Sequence, residues 1–121
     1  MKWITFIGDE TLTLESIKAI NYYGSARNHD VSEGRYCVVY SETDHIFYDF
    51  FDDMLSQYNE SERDKIPFSN PHFIMMVYKS GDRVKKIIQQ DNFLRGVFVD
   101  NDNDLIVPIE EFIRLGMPME P

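Results

Sequence analysis

Apolar residues fall along this chain in short runs, mostly five to eight residues long and each closed by turn-forming residues, which is the pattern of a sheet interleaved with helices. Trp3 to Ile7 predicts a first strand, ended by Gly8 and Asp9. Thr13 is placed to cap a helix in which Leu14, Ile17 and Ile20 or Asn21 recur at helical spacing. Tyr22 to Gly34 carries two glycines with Asn28, Asp30 and Ser32, and predicts a long loop. Arg35–Ser41 and His45–Phe51, rich in aromatic and β-branched residues and separated by Glu42-Thr43-Asp44, predict an antiparallel hairpin.

Phe47, Phe50, Phe51, Met54, Leu55 and Tyr58 also satisfy helical spacing, so the second arm competes between strand and helix. The favoured reading is strand giving way to helix near Asp52. A further helix starts at Asn59-Glu60-Ser61-Glu62, Pro67 ends it, and Ser69-Asn70-Pro71 is a turn. Phe73 to Tyr78 is a continuous apolar run, expected of a central strand buried on both faces. Ser80 to Asp82 introduces a helix to about Gln90 with Val84, Ile87 and Ile88 inward, and Val97 to Val99 is a strand, completing a right-handed β-α-β crossover. The polar turn Asp100 to Asp104 leads into Leu105-Ile106-Val107, and Pro108 opens a closing helix that Gly116 stops.

The predicted order is β-α-β-β-α-β-α-β-β-α. The fold class is α/β in the α+β sense: one domain over residues 1–121, with a mixed, mostly antiparallel sheet, one β-α-β crossover and flanking helices. At 121 residues a chain builds one core without staples, and 43% hydrophobic with 14% aromatic residues excludes a disordered class. The lone Cys37, inside Tyr36-Cys37-Val38-Val39-Tyr40, is expected to pack as a small hydrophobe. The first apolar run is too short for a signal-peptide core and no stretch has membrane length, so cytoplasmic residence is the expectation.

Charge changes the picture more than composition does. The formal charge is −9, and it is unevenly placed: Glu42 to Asp64 holds eight acids and one base, Val99 to Pro121 six acids and one base. The remainder is mildly positive. Clustered like charge costs stability, although acids are locally favoured at helix N-termini and in turns. Such clusters are also what a surface for a basic partner requires.

Other chemistry has less support. Asp100, Asp102, Asp104 and Glu111 match positions one, three, five and twelve of a calcium loop, but Leu105 stands where the loop needs glycine, Pro108 is at position nine, and a strand precedes them. His29, His45 and His72 are too far apart for a local metal motif. No glycine pattern cradles phosphate. Lys79, Arg83, Lys85 and Lys86 form the one basic cluster, on a predicted helix, and read as a solvated face. No catalytic residue, metal or cofactor is assigned.

Phe73-Ile74-Met75-Met76-Val77-Tyr78, Gly96-Val97-Phe98-Val99-Asp100 and Ile106-Val107-Pro108-Ile109-Glu110-Glu111-Phe112, taken with size and acidity, resemble small bacterial immunity proteins, the antitoxins of contact-dependent growth inhibition and related polymorphic toxin systems. The resemblance is of style and extends over about half the chain. These families share no catalytic motif, so no residue role carries over. The resemblance implies a cytoplasmic protein that binds the C-terminal toxic domain of a cognate effector, often a nuclease with a basic cleft, and blocks its active site. Neither direct nucleic-acid contact nor membrane association is implied. The contact surface expected on charge is Asp49, Asp52, Asp53, Asp100, Asp102 and Asp104, with Tyr48 or Tyr58 as aromatic anchor. Two alternatives remain: a small enzyme with His45 or His72 beside a carboxylate, and a structural, self-associating module. Oligomeric state, and whether residues 22–34 order without a partner, stay open.

Overall fold

Alternation along the strands sets the architecture, because successive side chains point to opposite faces. The structure, a computed structural model, describes residues 2–119. Its strands are β1 (Lys2–Gly8), β2 (Arg27–Ser32), β3 (Arg35–Ser41), β4 (Asp44–Phe51), β5 (His72–Tyr78), β6 (Phe98–Asp100) and β7 (Ile106–Pro108). The helices are α1 (Leu14–Lys18), α2 (Glu60–Arg63), α3 (Gly81–Ile88) and α4 (Ile109–Arg114), with a single 3-10 turn at Leu55–Gln57. The strands form one sheet in the order β2-β3-β4-β5-β1-β6-β7.

Every neighbouring pair is antiparallel. The expected α+β domain with an antiparallel sheet and helices is therefore present, but the crossover differs in detail. β5 and β6 both run antiparallel to β1, which lies between them, so they are parallel to each other without touching. Insertion of β1 gives both edges of this largely buried strand a hydrogen-bonding partner, as buried backbone requires.

Ile4 and Phe6 of β1, Ile46 and Tyr48 of β4, and Ile74, Met76 and Tyr78 of β5 share one face and meet Ile17 of α1, Val84, Ile87 and Ile88 of α3, and Ile109 and Phe112 of α4 in the main core. Phe6 meets Phe93 edge-on, with ring centroids 5.4 Å apart. Ser80 caps α3 by accepting from the Arg83 N–H at 3.3 Å, as its sequence position suggested. Cys37 is buried, and burial pushes its thiol up. Among the described residues no helix is long and apolar enough to cross a membrane.

Several elements depart from expectation. Arg27–Ser32, read as loop, is edge strand β2, exposed throughout and paired to β3. No apolar alternation announces it, because its pairing rests on the β3 backbone and on the tight turn at Gly34, whose φ of +79° suits glycine. After β4 the chain does not enter a helix at Asp52; it bends through Asp52 and Asp53 into the 3-10 turn. Pro108 closes β7, and α4 begins one residue later. β5 is fourth of seven strands, hence central, but only one of its faces is sealed: Met75 and Val77 on the other are half-buried.

Phe6→Ala is expected to cost about 3–5 kcal/mol, read as a lower urea midpoint at unchanged slope. A loss under about 1 kcal/mol would contradict the central, close-packed position assigned to β1.

Candidate functional site

The second sheet face is built from the odd-numbered residues of β1, β3, β4 and β5, and strand register arranges them in rows. One row runs His29, Cys37, Phe47, Val77, Trp3 from β2 across to β1. The next runs Arg35, Asp49, Met75, Thr5, Asp100, from β3 to β6. The third carries Phe51, Phe73, Ile7 and Phe98. Tyr58 and Ile66 pack into a small second core with Ile7, Phe73 and Ile106, flanked by Met54, Leu55, Phe68 and Phe98. That cap ends within the third row. Trp3 and Phe51 remain 41% and 39% exposed, respectively.

Where the cap meets the open rows lies a groove of about 400 Å³, with Trp3, Phe51, Met54 and Met75 on its apolar walls and Asp53, Glu62, Asp100 and Asp102 around it. No Lys or Arg lines it. Among the described residues none of these four carboxylates forms an ion pair. Thr5 also lines the groove and is only 4% exposed.

Local chemistry holds the acids there. Asn59 accepts from the Glu62 N–H at 2.9 Å, and Glu62 accepts from the Asn59 N–H at 2.9 Å, a reciprocal cap that nucleates α2 and pins Glu62. Arg63 Nε donates to the carbonyls of Leu55 (2.9 Å) and Tyr58 (3.0 Å), tying α2 back onto the 3-10 turn. In the turn after β6, buried Asn101 accepts from the N–H groups of Asn103 (2.9 Å) and Leu105 (3.3 Å) and donates to the Pro118 carbonyl at 2.9 Å. Asp102 and Asp104 take positive φ in this turn, a conformation Asp tolerates better than most residues.

Asp100 is the inward member. One of its oxygens accepts from the Tyr58 hydroxyl at 2.8 Å and the other from the Asp102 N–H at 2.8 Å. Burial nevertheless raises its carboxyl above the ordinary value, and the Asp102 and Glu62 charges add to the rise. Burial and the Asp100 charge hold the Tyr58 hydroxyl protonated, far above the usual tyrosine range, so it remains a donor.

The groove thus gathers Asp53, Tyr58, Asp100 and Asp102 of the residues expected at a partner surface. The others lie elsewhere. Asp49 is on the open face but pairs with Arg35 at 3.1 Å, whose guanidinium stacks 4.2 Å from the Phe47 ring centroid. Asp52 is exposed at the bend and Asp104 at the turn, both outside the groove lining. Tyr48 is fully buried on the helix-covered face and cannot anchor a partner, since even positions of β4 point into the main core. Tyr58 is 7% exposed and stacked on Phe73 at 5.8 Å, so it supports the groove wall instead of projecting. Trp3, Thr5, Phe51, Glu62 and Met75 were missed. The available signal was parity: a Trp, an apolar row and a Thr on the strand face that short helices could not cover.

The other candidates are accounted for locally. Glu111, the twelfth position of the apparent calcium loop, is held by Arg114 in a two-pronged ion pair, and the segment from Asp100 is an antiparallel connection between β6 and β7. His29 is exposed on edge strand β2, His45 meets the Phe47 ring edge-on, and His72 Nδ1 lies 3.1 Å from the Leu12 carbonyl. All three are outside the acidic groove. Of the basic cluster, Arg83 stacks 3.8 Å over Tyr40 and pairs with Asp44 at 2.7 Å, on the helix-covered side.

A raised carboxyl contributes stability that is fully present below the unfolded aspartate value, about 3.9, and lost as pH rises through the folded value. The melting temperature of the native chain relative to Asp100→Asn should therefore fall as pH rises above the ordinary aspartate value, about 3.9. A difference that is flat or rises with pH would contradict the buried position of Asp100. In comparisons with protein-family models, curated proteins and solved structures, nothing matches this chain.

Proposed function

We propose that this protein is a binding protein whose open sheet face takes a basic partner, and that it serves as an immunity protein, neutralising a cognate toxin domain of nuclease type. The observation that supports this reading is the groove: four carboxylates without cationic partners, set against apolar walls beside an exposed Trp and Phe. Monomeric proteins seldom leave large apolar groups grouped on a surface without a use for them. Carboxylates grouped this way carry the sign of charge that a nuclease cleft, with its lysines and arginines set for a polyanion, attracts. Blocking such a cleft requires no catalytic group on the inhibitor. The site of action is the cytoplasm, where a delivered nuclease domain would meet its substrate.

Exposed Trp3 and Phe51 also favour a second reading, self-association through the same face. Face-to-face pairing would bring two sets of groove carboxylates together, and a net charge of −9 per copy opposes it.

Co-expression with the C-terminal toxin domain encoded by the adjoining gene should restore growth and yield an equimolar complex. Asp53→Asn with Asp102→Asn should slow association by about tenfold at low salt, with a smaller difference at high salt. The control Asp91→Asn, beyond the end of α3, should change the rate little. No rescue and no complex would overturn the immunity reading, and an unchanged rate in the double variant would remove the groove from it.

A further inference from the structure

Thr5 separates this groove from an ordinary acidic patch. The residue is 4% exposed and lines the groove; its side chain makes no hydrogen bond to the described residues, and its oxygen is not among the fully sealed unpaired atoms, so the hydroxyl opens on the groove. A hydroxyl that opens on a groove without a partner in its own chain is free to bond an incoming group. On one flank in the sheet register stands Asp100, on the other Met75, and two residues earlier on the same face stands Trp3. An i, i+2 pair on a strand spans about 7 Å, comparable to the reach of a long cationic side chain from its Cβ to its head.

We propose that the groove is a receptor for one arginine side chain projecting from a partner protein, with its guanidinium between Thr5, Asp100 and Asp102 and its aliphatic stem along Trp3 and Met75. The occupant follows from the walls. A cation is called for by unpaired carboxylates around a lining that holds no base. An apolar stem is called for by Met75 and the Trp3 ring. Arginine suits this better than lysine, because its planar head is more weakly hydrated, stacks on aromatic rings, and presents several donors in a fixed fork. Both Asp100 oxygens already accept one hydrogen bond each, from Tyr58 and from the Asp102 N–H, and an ionised carboxylate has lone pairs for more. A guanidinium arriving there supplies the counter-charge that burial of Asp100 lacks, and the Thr5 hydroxyl gains a donor.

This inference rests on the reading of the open face as a binding surface, but not on the partner being a toxin. Trp3 is the only tryptophan in the chain, so its fluorescence and indole N–H resonance report directly on the site. The probes are N-acetyl-arginine amide, N-acetyl-lysine amide and N-acetyl-citrulline amide, the last a neutral isostere of the first, titrated against the full chain. Arginine is expected to saturate with a dissociation constant on the order of millimolar, as a single side chain should. Lysine should bind several-fold more weakly, and citrulline should show no saturation. Thr5→Val, which keeps the shape and β-branching, should weaken arginine roughly tenfold, and Asp102→Asn by a similar factor.

Absence of a saturable Trp3 response to arginine would overturn the proposal. So would equal binding of citrulline or lysine, or unchanged arginine affinity in Thr5→Val shown by its resonance dispersion to be folded. Arginine binding without any toxin complex would leave the groove standing and sink the immunity reading. A toxin complex with no arginine response would do the reverse.

Discussion

A seven-stranded sheet has two broad faces, and this chain supplies helix enough to seal only one of them. The helices α1, α3 and α4, of five, eight and six residues, contribute to the core on the face formed by Ile4, Phe6, Tyr48 and Met76. The opposite face receives only the segment around the 3-10 turn and α2, whose Met54, Leu55, Tyr58, Ile66 and Phe68 pack with Phe73, Ile7 and Ile106 in the second core. Full burial of a side chain such as Phe contributes about 1.5–3 kcal/mol, so leaving Trp3 and Phe51 substantially in water forgoes stabilisation that a longer covering helix would have delivered. Uneven cover is the feature from which the groove, its walls and its exposed aromatics all follow.

Electrostatics adds a second uncompensated cost at the same place. Asp44, Asp49 and Glu111 each find an arginine, and Asp30 finds Lys18. The carboxylates around the groove find none, and Asp100 is held partly buried with its carboxyl raised. The local bonds that keep them there are specific: a reciprocal cap for Glu62, a tyrosine donor for Asp100, and an asparagine-organised turn behind Asp102. Two departures from the most stable arrangement, apolar surface left open and like charges left unpaired, coincide on one patch. Such coincidence is where function is expected to be carried, since selection tolerates local destabilisation chiefly where it serves a purpose.

Much of the framework was legible. The hairpin of β3 and β4, the apolar run of β5, the cap and inward face of α3 and the helix after Pro108 all follow from periodicity and end signals that tertiary context did not override. What failed has identifiable causes. β2 is a polar strand whose pairing is dictated by its neighbour, so its own residues carry no period. The apolar run Phe73 to Tyr78 was read as buried on both faces, yet Met75 and Val77 line the open one. Hydrophobicity reports affinity for cover and not whether the chain itself provides it. The acidic segments were visible as counts, but which acids converge depends on contacts forty residues apart, such as Tyr58 with Asp100. Tyr48 and Tyr58 looked equivalent in sequence; strand parity sends one into the main core, and the second core takes the other.

Apolar walls and unpaired acids are complementary in what they ask of a ligand. In open water a carboxylate attracts a passing cation weakly, because solvent screens the pair. Against Trp3, Met54 and Met75, with Asp100 already partly desolvated, the same charge acts through a less polar medium and its attraction is stronger. The apolar walls also reject a cation that cannot shed its hydration, so they select for charge spread over a flat group on an aliphatic stem. The carboxylates in turn reject a purely apolar occupant, which would leave them buried and unpaired. Attraction and discrimination would then both come from one arrangement of β1 and its neighbours.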